Sequence, residues 1–187
     1  MRKVISQFNL GLTYFKGEDV TQDYGKAFKW WSRAAEKGYA KAQIGLASLY
    51  SNGQGVSQNY EEAVKWLSLA AEQGEATAQY NLGVMYEEGK GVSQNYKEAV
   101  KWLSLAAEQG EALAQFGLGI MYEQGNGINQ DNIQAYKWFN IANENDLEES
   151  KKRLEIIEKK MSPSEIEEAH SLLKKWFGEH KEMKGRF

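Results

Sequence analysis

The stretch Gly55–Gln79 reads GVSQNYEEAVKWLSLAAEQGEATAQ, and Gly91–Gln115 reads GVSQNYKEAVKWLSLAAEQGEALAQ. They differ only at Glu61 against Lys97 and at Thr77 against Leu113. Two such runs offset by 36 residues mark an internal repeat, and the period extends in both directions. Trp30, Trp66, Trp102 and Trp138 keep it, as do Ala27, Ala63, Ala99 and Ala135, and Gly17, Gly53, Gly89 and Gly125. The 187-residue chain therefore divides into four copies, about residues 6–41, 42–77, 78–113 and 114–149, followed by a divergent segment.

Within one copy the apolar spacing predicts two helices. Ala78, Leu82, Met85, Tyr86 and Gly89 recur every three or four residues, so one face of a first helix is buried. Gly83 on that helix lets a neighbour approach closely, and Gly89 supplies a left-handed cap. The loop Gly89-Lys90-Gly91-Val92 then drops one apolar residue into the core. Asn95 opens the second helix, with counterparts Asp23, Asn59 and Asp131 that can all accept a hydrogen bond from an unpaired backbone amide. Glu62, Glu98 and Gln134, three residues on, predict capping boxes, which Lys26 breaks in the first copy. Ala99, Trp102, Leu103, Ala106 and Ala107 form the second buried face, with the four periodic tryptophans as structural pegs. A lone hairpin has too little to pack against. The expected fold is all-α: a right-handed α/α superhelical solenoid of four helix-turn-helix repeats plus two C-terminal capping helices, one domain spanning 1–187.

The two ends differ. Leu154 lies in register with Leu118, Leu82 and Leu46, so 147–161 reads as a decayed first helix whose Ser150 and Glu158 face water. Ser162, Pro163 and Glu165 open a last helix with the inner stripe Ile166, Ala169, Leu173 and Trp176. The cap covers 150–178, and 179–187 reads as a tail. At the other end Val4, Ile5, Phe8, Leu12 and Phe15 belong to a first helix with no repeat before it. Either residues precede Met1 in the full protein, or this face packs on another molecule, self-association included.

Chemistry is sparse. Net charge is -3, with 23 basic and 26 acidic residues, which argues against a nucleic-acid surface. There is no cysteine, so disulfides, thiol nucleophiles and thiolate metal sites are excluded. No run is long and apolar enough to span a membrane, and Met1-Arg2-Lys3-Val4-Ile5 does not begin a signal peptide. The compartment stays open: cytoplasmic if the chain is complete, periplasmic or secreted if a leader has been removed. The histidines His170 and His180 read as surface groups, and the Lys151-Lys152-Arg153 run and the Lys29, Lys65, Lys101, Lys137 ladder as solvated faces. Ser171-Leu172-Leu173-Lys174 matches a short Ser-x-x-Lys string without its companion motifs. The repeated glycine pairs lack the lysine and strand of a phosphate loop. No catalytic residue, metal or cofactor is expected.

The motifs Ala-Gln-x-x-Leu-Gly-x-x-Tyr at 78–86, Gly-x-Gly-Val at 89–92 and Ala-x-x-Trp-Leu-x-x-Ala-Ala-x-x-Gly at 99–110 resemble the Sel-one-like repeat (SLR) family. The segment from Met161 to Trp176 is similar to the terminal helices of its bacterial members, so the resemblance covers nearly the whole chain. Tetratricopeptide repeats, at about 34 residues, are the nearest relatives. The resemblance implies a non-enzymatic scaffold or adaptor that binds a partner protein or peptide in a concave groove lined by the first helices. By analogy with tetratricopeptide grooves, Phe8, Ile44, Tyr80 and Phe116 point inward, then Leu12, Val84 and Ile120, with Phe15, Glu87 and Glu123 further along and Asn81 able to bond a bound backbone. An alternative reading packs these aromatics between adjacent first helices, partly exposed. One branch of the family is secreted, cysteine-rich and linked to penicillin binding or hydrolysis; that implies a cell-envelope hydrolase or penicillin-binding protein as the alternative function, although its paired cysteines are missing here.

Overall fold

A computed structural model describes residues 2–145 and 147–180. Among these are ten α-helices and no strand. The expected tail lies mostly outside them, from 181 on. The helices fall in two compact units, Met1–Gln94 and Asn95–Phe187.

The first unit holds α1 (Arg2–Lys16), α2 (Tyr24–Ala35), α3 (Ala40–Asn52), α4 (Tyr60–Glu72) and α5 (Ala76–Glu88). Helices α1 and α2 form one antiparallel hairpin and α3 and α4 the next, with α2 against α3 and α4 against α5. Each second helix begins as the sequence predicts: Asp23 accepts from the Lys26 amide and Asn59 from the Glu62 amide. The expected capping box does not close at Asn59. The Asn59 amide that would close the box donates to the Tyr50 carbonyl at 2.9 Å, and Glu62 pairs instead with Lys65 one turn along at 3.2 Å. The first helices stop at Gly53 and Gly89, both left-handed.

The core of this unit gathers Ala27, Trp31, Ala34, Ala35, Ala42, Leu46 and Leu49. The deep aromatic is therefore Trp31 and not Trp30. Trp31 is 4% exposed and donates its indole N–H to the Phe8 carbonyl at 3.1 Å, whereas Trp30 and Trp66 are only half-buried. The residue after each periodic tryptophan points inward, and that position belongs to Trp31, Leu67, Leu103 and Phe139. Small residues face it. A Cβ on Gly11 would run into the Trp31 indole, so the glycine is what admits the larger ring.

Two glutamine families tie the hairpins together. Gln43 and Gln79, both buried, donate to the Ala35 and Ala71 carbonyls at 3.3 and 3.2 Å, satisfying acceptors at the helix ends. Gln73 then donates to the Gln43 side-chain oxygen at 2.7 Å. Gln22, Gln58 and Gln94 each reach back seven residues to a first-helix carbonyl and pin the glycine loop.

The second unit holds α6 (Tyr96–Glu108), α7 (Ala112–Gln124), α8 (Asn132–Glu144), α9 (Glu148–Glu158) and α10 (Pro163–Glu179). It repeats the devices of the first. Asn95 and Asp131 cap their helices, Gln115 donates to Ala107 at 3.1 Å, and Asn145 donates to Gln115 at 2.7 Å. Glu98, like Glu62, pairs with its lysine, Lys101, rather than closing a box. A complete capping box occurs at Ser162–Glu165, where α10 begins.

The end of the chain departs from the repeat. Ser150, expected to meet water, is fully buried, because the start of α9 is held against α8. Helix α10 packs chiefly on α8 and buries Ala169, Leu173 and Trp176; Ile166 is half-buried. Trp176 meets Trp138 edge-on with centroids 6.3 Å apart and donates to Glu108 at 3.2 Å. His180 stacks on Trp176 at 4.2 Å and also reaches Glu108, so it is not the free surface group that its position suggests. His170 is exposed but contacts the Tyr136 hydroxyl at 3.1 Å, a hydroxyl that also donates to Glu158.

Candidate protein-interaction surface

In the first unit the groove residues come from α1, α3 and α5. Phe8, Leu12, Phe15, Ile44, Tyr80, Asn81, Val84 and Glu87 are all half-buried. Helices α3 and α5 bury one side, through Ala42 and Leu46 and through Ala78 and Leu82, whereas α1 buries only Gly11; the groove side chains sit at the edge of that core.

The aromatics do two things at once. Phe8 stacks beside Trp31 at 6.1 Å and meets Tyr39 edge-on at 5.2 Å. Phe15 lies 5.1 Å from Trp31 and 5.5 Å from Tyr24. They cover the core of their hairpin while presenting an edge to solvent. Leu12 packs against the same core as the aromatics, and Ile44 and Val84 are likewise half-buried, so all three present only part of their apolar surface. Asn81 spends its amide on the Thr77 carbonyl at 2.9 Å within its own helix, leaving its oxygen as the group that could meet a ligand amide.

Glu87 carries the negative charge of this surface. Burial, then the neighbouring Glu88, raises its carboxyl above the ordinary value of 4.5. Glu88 itself is paired with Lys90 at 2.8 Å.

In the second unit α7 carries Phe116, Ile120 and Glu123. Phe116 and Ile120 are half-buried, and Phe116 packs on Phe139 at 5.6 Å. Glu123 behaves differently from Glu87, although both hold the same place in the repeat. It is only 8% exposed, and its two oxygens receive Arg153 at 3.2 Å and Lys160 at 3.0 Å. Both cations come from the decayed repeat, so this carboxylate anchors α9 within the chain. The Lys151-Lys152-Arg153 run is thus solvated only in part.

The lysine ladder is likewise engaged: Lys65, Lys101 and Lys137 lie over the rings of Trp66, Trp102 and Trp138 at 5.6, 4.8 and 4.4 Å. Ser171 and Lys174 are exposed on α10. Among the described residues no group of three or more His, Asp or Glu could hold a metal ion, and no helix is long and apolar enough to cross a membrane. At the N-terminal face an open groove of about 630 Å³ runs between α1 and α2, lined among others by Lys3, Gln7, Leu10, Trp30, Arg33 and Lys37.

The buried glutamines are a further signal in the sequence. Gln43, Gln79 and Gln115 recur with the period on an otherwise apolar face, where a polar side chain needs a fixed partner.

Helix pairs recurring at a fixed period and clamped by the same side chains at successive junctions define the α/α solenoid class of repeat proteins. The chain belongs to the Sel1 repeat family, whose model matches residues 4–39, 40–75, 76–111 and 112–147. This frame starts two residues earlier than the one taken from the tryptophans, and its last three boundaries coincide with the first residues of α3, α5 and α7. Among solved structures the chain is similar to a Sel1 repeat protein from Oxalobacter formigenes, at 39% identity and TM-score 0.77 over 81% of this chain and 60% of that one. It is also similar to c5321, a protective antigen of uropathogenic Escherichia coli with an SLR fold, at 32% identity and TM-score 0.56. That match covers 94% of this chain and 45% of c5321, so the chain spans less than two thirds of either relative. Helicobacter pylori cysteine rich protein B matches at 27% identity and TM-score 0.54, over 67% of this chain and 90% of that one. A comparison with curated proteins finds no match.

Proposed function

We propose that this chain is a non-enzymatic scaffold that holds a partner protein through the exposed edges of its first helices. Sel1 repeat proteins are typically protein-interaction scaffolds, which sets the class. The observation that carries the reading is the half-buried state of Ile44 on α3 and Val84 on α5, helices that bury Ala42 and Leu46, and Ala78 and Leu82, respectively. Apolar groups left at a core edge in every repeat offer a row of shallow contacts, and such contacts suit an extended or helical peptide. Glu87 beside them favours basic flanks on that peptide.

The test is affinity capture from the source cell with the native chain beside an Ile44→Asp/Val84→Asp variant whose melting curve shows that it is folded. A partner retained by the native chain and lost by the variant supports the reading. Equal capture by both would move the site away from the first helices.

A further inference from the structure

The second helices carry a separate surface, and the chain itself shows what fits it. On α8, the face bearing Trp138 and Ile141 is covered by α10, leaving these residues 4% and 1% exposed. The covering helix presents Trp176 and, one turn on, His180, with the two rings stacked at 4.2 Å. Both reach one carboxylate: the Trp176 indole and the His180 imidazole each lie 3.2 Å from Glu108 Oε2. Lys137, over the Trp138 ring, borders the contact.

Two repeats upstream, the counterparts of Glu108, Lys137, Trp138 and Ile141 are Glu36, Lys65, Trp66 and Leu69, all within the first unit. The chemistry is preserved: an acid at the end of α2, a lysine over a tryptophan ring, and an aliphatic residue one turn beyond on α4. The cover is not. Leu69 is 40% exposed, Trp66 is half-buried, and Glu36 is exposed with no ion-pair partner among the described residues. Leu105, in the same place on α6, is 45% exposed.

We propose that the Trp66–Leu69 face of α4, with Glu36 at its edge, is a docking ledge for a partner protein's amphipathic helix that carries an aromatic residue and, one turn on, a basic residue. The docked α10 supplies the template and Glu36 the complementary charge. The chain's own α10 is committed to α8, where Ala169, Leu173 and Trp176 are buried, so the occupant is a helix from another protein. This ledge is independent of the first-helix surface.

The probe is a fluorescent synthetic peptide of residues 162–180, held helical by a hydrocarbon staple across the exposed positions 167 and 171, titrated against the full chain by anisotropy. The expected result is saturable binding that weakens by about tenfold or more with Leu69→Lys, with Glu36→Lys, and with Trp176→Ala in the peptide. Ile44→Asp/Val84→Asp leaves it unchanged, which separates this ledge from the first-helix surface. Leu69 and Glu36 are exposed, and circular dichroism checks that their variants stay folded. Failure of the native chain to bind the peptide at millimolar concentration overturns the proposal. So does binding that Leu69→Lys leaves intact, since the peptide would then be replacing α10 on α8 or sitting elsewhere.

Discussion

Gly91 lies against the carbonyl of Tyr60, with no room for a Cβ between them. Gly91 also has φ +72°, a left-handed conformation that costs an L-residue energy. The loop of one repeat is thereby seated on the N-terminal end of the preceding second helix, and Gly55 on Tyr24 and Gly127 on Tyr96 repeat the contact. Steric and conformational costs add at Gly91, so Gly91→Ala is expected to destabilise the fold by about 2–4 kcal/mol in denaturant unfolding. Asp19 holds the equivalent place in the first repeat at φ 64° but is exposed. Asp19→Gly is therefore expected to stay within about 1 kcal/mol of neutral. Equal effects at the two positions would refute the contact as the reason for the repeated glycine.

Gln115 bridges Ala107 and Asn145 from a fully buried position. Gln115→Met keeps the volume but removes a donor and an acceptor: the Ala107 carbonyl keeps its bond from the Gly110 amide, while the half-buried Asn145 amide loses its acceptor. The expected loss is about 1–3 kcal/mol. A neutral outcome by thermal melting would show that the clamp adds nothing beyond packing.

Glu123→Ala is expected to cost about 1–3 kcal/mol. That lies between the small worth of exposed pairs and the larger cost of breaking a buried one, because the acid is buried while Arg153 and Lys160 are partly solvated. Hydrogen exchange should rise first in α9, which these contacts hold. Uniform acceleration across the unit would argue against so local a role.

At Glu87 the prediction concerns pH. Burial raises its folded-state carboxyl above the ordinary 4.5, so the folded chain holds the proton more tightly than the unfolded one. The associated stability is present below pH 4.5 and is lost as pH rises through the folded value. Glu87→Gln, which removes the cost of the half-buried charge, should raise the melting temperature at pH 7 and lose that advantage at pH below 4.5. A pH-independent difference would sink this account.

The sequence by itself determined the period, the two helices of each copy, the Asn and Asp caps, the glycine stops and the Ser162–Glu165 box. These are local: a helix face, a cap and a left-handed turn are set by residues within a few positions of one another, and four copies state the pattern four times. The sequence puts both the periodic tryptophan and the residue after it on the second buried face, and only the stacked neighbour makes the latter the deeper in the first three copies, while Trp138 is buried as well. The tertiary structure decided everything that joins residues about a repeat length apart. Glu123 and Arg153 stand 30 positions apart and Glu123 and Lys160 stand 37 apart, and nothing in the spacing separates Glu123 from Glu87. The burial of Ser150 and the seat of α10 on α8 have the same origin. Their energetics depend on which surface the decayed repeat meets, and a pattern of period 36 carries no information once the chain has left it.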